Sequence, residues 1–158
     1  MLPVLINSVE MSRAASETGC EIRQILSASA DYFRGSWTYG QFWRSTINEL
    51  SQLDELCSRD NWDGFGAPAL QPQVFQVASR FIASIPFEIP VPEISASAQG
   101  DISFEWANGA NRIVSVAVSA SGEVHFASLI GYKKSFGSFP FDGSFDSQIA
   151  DLIKLALG

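Results

Sequence analysis

Apolar residues recur at steps of three and four in three segments of the first half of the chain. This spacing predicts helices over about 19–33 and 39–58, and a third helix that begins at Pro72. Thr38 is expected to cap the second helix, because Gln41 follows it in a capping box. The predicted apolar stripe of the second helix comprises Trp43, Ile47, Leu50, Leu53 and Cys57, and that of the third comprises Val74, Val77, Ala78, Phe81 and Ile85.

The segment that follows the third helix is rich in proline. Pro86, Pro90 and Pro92 interrupt the sequence SIPFEIPVPEIS. Proline lacks a backbone N–H and fixes φ, so it excludes a helix interior and a central strand. The segment is therefore predicted to be an extended crossover along the surface.

From Asp101 the apolar period changes from 3.6 to 2, which predicts antiparallel strands joined by hairpins. A three-residue loop over 107–109 would pair Ile102 with Val114 and keep the apolar residues of both strands on one face. A second three-residue loop, over 120–122, would pair Val118 with Val124. A two-residue turn at Asn108-Gly109 is disfavoured, because it would turn one apolar face outward.

A fourth strand is predicted over about Lys134–Phe139, followed by a last helix that Ser144 could cap. The apolar stripe of this helix comprises Ile149, Leu152, Ile153 and Ala156. The predicted fold is α+β, with the order ααα-ββββ-α. An antiparallel sheet of three to four strands (about 101–139) carries the helices on one face.

Composition limits the classes of function. The chain has 158 residues, of which 46% are hydrophobic, and its net charge is −7. Its ten basic residues are scattered, whereas a nucleic-acid-binding face needs them clustered, so no nucleic-acid partner is predicted. The apolar start MLPVLI is too short for a signal peptide, and no apolar run approaches a membrane span, which predicts a cytoplasmic protein without a membrane partner.

The sequence contains no recognisable catalytic or metal-binding motif. The only histidine, His125, is predicted on a strand face with Glu123 and Ala127, and no paired cysteine or histidine spacing of a zinc site occurs. No cofactor is therefore predicted. Cys20 and Cys57 are interpreted as buried thiols, with a disulfide as the alternative.

Two pairs of carboxylates are close in sequence, Asp60 with Asp63 and Asp142 with Asp146. Acid–base chemistry would require the two carboxyl groups of a pair to lie in different environments. The other interpretation is that Asp63 and Asp142, each directly before a glycine, accept hydrogen bonds from nearby backbone N–H groups in turns.

Several motifs of the second part of the chain occur in a recognisable order. They are NWDGFGA, PEIS, GDISFEW, GEVHFASLIG and FDG. This series resembles an uncharacterised family of small bacterial proteins whose members carry W-D-G-[YF]-G-A-x-P, P-x-I-S and F-E-W. Phe65 stands where tyrosine is commoner in that family. The resemblance covers about residues 55–158 and implies one α+β domain there, preceded by a helical extension over 1–54; it implies no catalytic residue.

Two aromatic segments are the candidate binding sites. In DYFRGSWTYGQFW, Trp37 and Tyr39 flank the predicted break between two helices, and aromatic residues of this kind are typical of interface centres. In NWDGFGAPAL, Trp62 is expected to pack over the end of the second helix while Asp63-Gly64 turns the chain. The loop is interpreted as a shaped turn, with a ligand or partner role as the alternative.

The absence of a catalytic pattern favours a non-enzymatic interaction module that binds a protein partner or itself. The alternative is a small-molecule-binding protein or an enzyme with a pocket between the sheet and the helices. That pocket would use Trp62, Asp63, Glu105 and Trp106, with Asp63 or Glu105 pointing inward.

Overall fold

The computed structural model describes residues 37–158, with side chains from residue 44 onward. The element order is α1 (Trp37–Cys57), α2 (Pro72–Ser84), β1 (Glu93–Ala96), β2 (Ile102–Ala107), β3 (Arg112–Val118), β4 (Glu123–Ile130), β5 (Lys133–Pro140) and α3 (Ser147–Leu157). The predicted α+β class with an antiparallel sheet is confirmed. The helix predicted over 19–33 lies outside the described residues.

Within residues 37–158 the sheet has five strands in the order β1-β2-β3-β4-β5, and every neighbouring pair is antiparallel. The strand that was not predicted is β1, which lies in the segment predicted to be only a surface crossover. Pro92 precedes β1 directly, and Ile94 faces the core opposite Phe104. The prediction was wrong because proline excludes only a central strand. The residues that follow a proline can still form a short strand at the edge of a sheet.

The alternation of the strands gives the sheet one apolar face and one open face. Phe104 and Trp106 lie on the apolar face with Val114, Val116 and Val118, as predicted, and all of them are buried. Helices α1 and α2 contact each other, α2 and α3 contact the central strands, and α1 contacts β1. Among residues 44–158 the open face carries only exposed and half-buried side chains.

The register of the β2–β3 hairpin differs from the prediction. Ile102 lies opposite Val118, four residues beyond its predicted partner Val114, and Trp106 lies opposite Val114. The β3–β4 hairpin has the predicted register, with Val118 opposite Val124. The shift of four is an even number, so it changed the partners of each side chain but not the face on which it lies.

Two helix starts also differ from the prediction. Helix α1 already includes Thr38, which is therefore not its N-cap. The last helix is capped by Asp146, whose side chain accepts hydrogen bonds from the backbone N–H groups of Gln148 and Ile149. Ser144 instead donates its hydroxyl to Asp142 at 2.6 Å. A carboxylate adds its charge to the cap at the positive end of the helix.

Among the described residues, one hydrophobic core joins the helices α1, α2 and α3 to the sheet. The apolar stripes predicted for α1 from Ile47 onward, and for α2 and α3, line or adjoin this core. Phe81 of α2 lies at its centre, with ring centroids 4.8 Å from Phe104, 5.8 Å from Phe141 and 5.5 Å from Phe145. Cys57 is buried in the same core, and burial raises the pKa of its thiol, with the charge of Asp54 adding to the shift. Cys20 lies outside the described residues.

None of the helices within residues 37–158 is both long and apolar enough to cross a membrane.

Candidate functional site

The loop between α1 and α2, residues 58–71, is the most elaborately built part of the described chain and is called the Phe65 loop below. Three of its residues have positive φ angles: Asn61 at 63°, Gly64 at 76° and Gly66 at 93°. Asparagine and glycine tolerate this region of the backbone map better than other residues. The sequence Asn61 to Gly66 therefore coils the chain tightly within six residues.

Backbone hydrogen bonds close the loop on itself. The N–H of Asn61 donates to the carbonyl of Ala67 at 2.7 Å, and the N–H of Gly64 donates back to the carbonyl of Asn61 at 3.1 Å. At the base of the loop, the N–H of Leu70 donates to the carbonyl of Cys57, the last residue of α1, at 2.9 Å. The loop thus begins and ends at one point of the core.

Side-chain oxygens accept hydrogen bonds from four more backbone N–H groups of the loop. Asp63 Oδ1 accepts from the N–H groups of Phe65 at 2.8 Å and Ala67 at 3.0 Å. Asn61 Oδ1 accepts from Gly66 at 2.8 Å, and Asp60 Oδ1 accepts from the N–H that follows Pro68 at 2.9 Å. The bonds that Asp63 accepts favour its ionised form and lower its pKa, the bond from Ala67 having the largest effect and that from Phe65 the next.

Apolar contacts fasten the base of the loop to the domain. Ala67 and Leu70 are buried. The half-buried ring of Trp62 packs against the core, and its indole N–H donates to the carbonyl of Pro68 at 3.1 Å. Trp62 thus packs on the core, and the chain turns at Asp63-Gly64 as predicted.

The tip of the loop carries a bare aromatic ring. Phe65 lies between the two positive-φ glycines, and 95% of its surface is exposed. A single exposed apolar residue is common on protein surfaces. Phe65 differs because the N–H groups of residues 65, 66 and 67 are all held by side-chain oxygens of the loop. The backbone beneath the ring is therefore fixed before any partner binds.

The structure does not bring the other candidate residues to this loop. Glu105 and Trp106 are consecutive on β2 and lie on opposite faces of the sheet. Trp106 is buried, and its indole N–H donates to the carbonyl of Pro90 at 2.7 Å. Glu105 is exposed on the open face, opposite Glu93. Trp37 and Tyr39 lie in the first turns of α1, and their side chains are outside the described part.

The pocket predicted between the sheet and the helices is not formed by these residues. Glu105 points away from the helices, and the oxygen Oδ1 of Asp63 is engaged within its own loop. A shallow apolar recess does occur where α1 and α2 meet the proline-rich segment. Its lining residues are Thr46, Ile82, Ile85, Ile89, Val91 and Pro92. Apart from the hydroxyl of Thr46, none of these side chains carries a group that could serve as an acid, a base or a nucleophile at neutral pH.

The carboxylates close in sequence all bind backbone N–H groups. Asp63 and Asp142 each accept from the residue two positions ahead, as expected for turns, and the bonds from Ser144 lower the pKa of Asp142. Asp60 holds the Phe65 loop and Asp146 caps α3. Each carboxylate of the two pairs therefore has a local structural role.

His125 lies on the open face, as predicted, with Ala117 and Ser138 as its cross-strand neighbours. Within residues 44–158 no three side chains of His, Cys, Asp or Glu are grouped as a metal site would require.

Sequence reasoning identified this loop but selected Trp62 and Asp63 as its binding residues. These two side chains hold the loop, whereas Phe65 is the one that it presents. An aromatic residue between two glycines in a turn was the available signal, because neither neighbour has a side chain that could cover the ring.

No protein-family model, curated protein or solved structure matches the chain. The resemblance to a bacterial family therefore stays a prediction.

Proposed function

We propose that the protein is a non-enzymatic interaction module that docks on a protein partner through the Phe65 loop. The observation that carries this proposal is the 95% exposed ring of Phe65 on a backbone held by side-chain hydrogen bonds. The complementary partner surface is an apolar pocket that accepts one aromatic ring.

The energetics of such docking favour a prearranged aromatic residue. Interfaces concentrate their binding free energy in a few buried side chains, each of which contributes about 2 kcal/mol or more. Ordering a mobile loop on binding would offset part of this gain. In the Phe65 loop the backbone is already ordered in the free protein, so most of the burial energy of the ring remains available for binding.

The partner surface should also tolerate negative charge around its pocket. Asp60 and Asp63 lie within five residues of Phe65 and one basic residue, Arg59, lies beside them. The carboxyl group of Asp63, whose pKa lies below the ordinary aspartate value, is ionised at neutral pH. A pocket with a neutral or basic rim would therefore fit this loop better than an acidic one.

The test is affinity capture of the tagged full chain from nuclease-treated lysate of its source, compared between Phe65→Ala and Phe87→Ala and read by mass spectrometry. Phe87 is a matched control, since its ring is 80% exposed but lies outside the Phe65 loop. We expect a stoichiometric partner with the wild type and with Phe87→Ala, and its loss with Phe65→Ala.

Thermal unfolding of both variants should stay close to that of the wild type, because neither ring belongs to the core. A partner that binds Phe65→Ala as well as the wild type would contradict the proposal. A Trp37→Ala, Tyr39→Ala double variant in the same experiment tests whether the start of α1 takes part in the interface.

A further inference from the structure

Among the residues that the structure describes, nothing covers strand β5, which is an edge of the sheet. It runs over eight residues, Lys133–Pro140, and contacts β4 alone among the helices and strands of residues 37–158. The opposite edge, β1, is only four residues long and is contacted by α1. A long unpaired edge presents a row of free backbone groups to any strand that can add to it.

The ladder shows which backbone groups of β5 point outward. The N–H of Phe141 donates to the carbonyl of Gly122, which directs the odd-numbered residues of β5 toward β4. In an antiparallel ladder the alternate residues point their N–H and C=O groups the other way. Lys134, Phe136 and Ser138 therefore offer three N–H donors and three carbonyl acceptors to the outside, and Pro140 offers a carbonyl only.

A large apolar side chain marks the middle of this edge. Phe136 lies on the open face of the sheet, and 84% of its surface is exposed. Beneath it, Gly137 packs against the ring of Phe126, which lies so close that a Cβ on Gly137 would be 2.8 Å from Phe126 Cε1. The strand is thus held against its neighbour on one side while Phe136 is left uncovered on the other.

The charges at the two ends of the edge have opposite signs. Lys133 and Lys134 begin β5 and are exposed. Its other end lies beside Glu123, which pairs with Pro140, and is followed by Asp142; both carboxylates are exposed. A second copy that pairs antiparallel brings the basic end of each strand toward the acidic end of the other.

We propose that two copies of the chain associate through β5, forming one continuous antiparallel sheet of twice five strands. In the register that we infer, Phe136 lies opposite Phe136 of the second copy and Lys134 lies opposite Ser138 of the second copy. Each copy then donates three hydrogen bonds across the axis, from the N–H groups of residues 134, 136 and 138. This association is independent of the Phe65 loop.

The inferred register is favoured by side chains as well as by the backbone. The two Phe136 rings become direct cross-strand neighbours, an arrangement in which aromatic pairs stabilise a sheet. Lysines on an edge strand discourage the addition of an unrelated strand. In this register the lysines of the two copies lie at opposite ends of the interface and do not face each other. A basic or uncharged extended peptide would gain the backbone bonds but not the matched charges at both ends.

Sedimentation velocity of the full chain over a range of concentrations is the first test, comparing Ser138→Pro with Ser138→Ala. Proline removes the outward N–H of residue 138 but no hydrogen bond between β4 and β5, and edge strands tolerate it. Alanine keeps this N–H and is the matched control. We expect a dimer for the wild type and for Ser138→Ala. Ser138→Pro should raise the dimer dissociation constant about tenfold or more, because both copies carry the substitution and the interface loses two hydrogen bonds.

Oxidative cross-linking then tests the register, in a Cys20→Ala background that leaves only the buried Cys57. Opposed Cα atoms of a hydrogen-bonded pair are about 5.5 Å apart, within the reach of a disulfide. Phe136→Cys should form a covalent dimer. Ser138→Cys should not, because its two copies are offset by four residues, about 13 Å.

A wild type that stays monomeric, or identical dimerisation of Ser138→Pro and Ser138→Ala, would overturn the proposal. Equal cross-linking at positions 136 and 138 would overturn the register. Phe65→Ala should dimerise like the wild type, so that failure of this proposal is distinguishable from failure of the proposed partner site.

Discussion

At the scale of single residues, the chain uses short polar side chains to fix its backbone. Asp63 accepts hydrogen bonds from two backbone N–H groups and Asn61 accepts one from a third, all within the Phe65 loop. These side chains are close in sequence to the groups they bind, so the loop is largely determined by its own residues. Its geometry should therefore depend on the charge and the oxygen atoms of Asp63.

We expect Asp63→Asn to change the pH dependence of stability. The pKa of Asp63 is lowered in the folded protein, so its ionised form stabilises the fold above the ordinary aspartate pKa of about 3.9, and this contribution is lost as pH falls through the lower, folded value. Asparagine can keep an oxygen acceptor for the same N–H groups but cannot titrate.

The measurement is urea unfolding of the wild type and Asp63→Asn at several pH values between about 2 and 7. The difference in unfolding free energy between them should be largest near neutral pH and should shrink in acid. A difference that is constant over this range would show that the charge of Asp63 does not contribute.

At the scale of elements, local signals placed the helices but did not select every cap. Ser144 was predicted as the N-cap of α3, and Asp146, which is an equally suitable capping residue, was missed. In the structure Asp146 binds the first N–H groups of the helix, at 2.9 and 3.1 Å. Ser144 lies two residues earlier and donates its hydroxyl to Asp142.

We expect Asp146→Ala to destabilise the protein by about 1 kcal/mol, the usual cost of losing an N-cap side chain. Ser144→Ala should cost less, because its hydroxyl contacts only an exposed carboxylate. Chemical denaturation of both variants measures the difference. A larger loss for Ser144→Ala would contradict the assignment of the cap.

At the scale of the whole molecule, α1 belongs to the same core as the sheet. It runs from Trp37 to Cys57 and so crosses the boundary predicted near residue 54. Leu50, which lies before that boundary, is only 1% exposed and belongs to the same core cluster as Phe81 of α2. The C-terminal part of the predicted extension is therefore an integral part of the domain core.

Leu50→Ala should destabilise the entire domain by about 2–5 kcal/mol, since it removes buried methyl groups and leaves a cavity. Leu56→Ala, on the same helix but at a residue that is 66% exposed, is the control and should have a small effect. Unfolding should remain a single transition in both variants. A separate early transition of the helical signal in Leu50→Ala would show that α1 folds apart from the sheet.

The sequence by itself determined the apolar side of the three helices α1, α2 and α3 and of the strands β2, β3 and β4. Period 3.6 identified the buried stripes of the helices, and period 2 placed Phe104, Trp106 and Val114 on one face of the sheet. These patterns follow from the geometry of one helix or one strand. The turns at Asp63 and Asp142 were predictable for the same reason, because each carboxylate binds an N–H two residues away.

Only the tertiary structure decided how these elements meet. The alternation of β2 and β3 is satisfied by any even shift, so it could not distinguish Val114 from Val118 as the partner of Ile102. The segment 93–96 became a strand because the edge of β2 was available to pair with it. The sequence of that segment alone does not show this. The exposure of Phe65, likewise, reflects the path of the surrounding chain, since an aromatic ring is equally apolar in a core and at the tip of a loop.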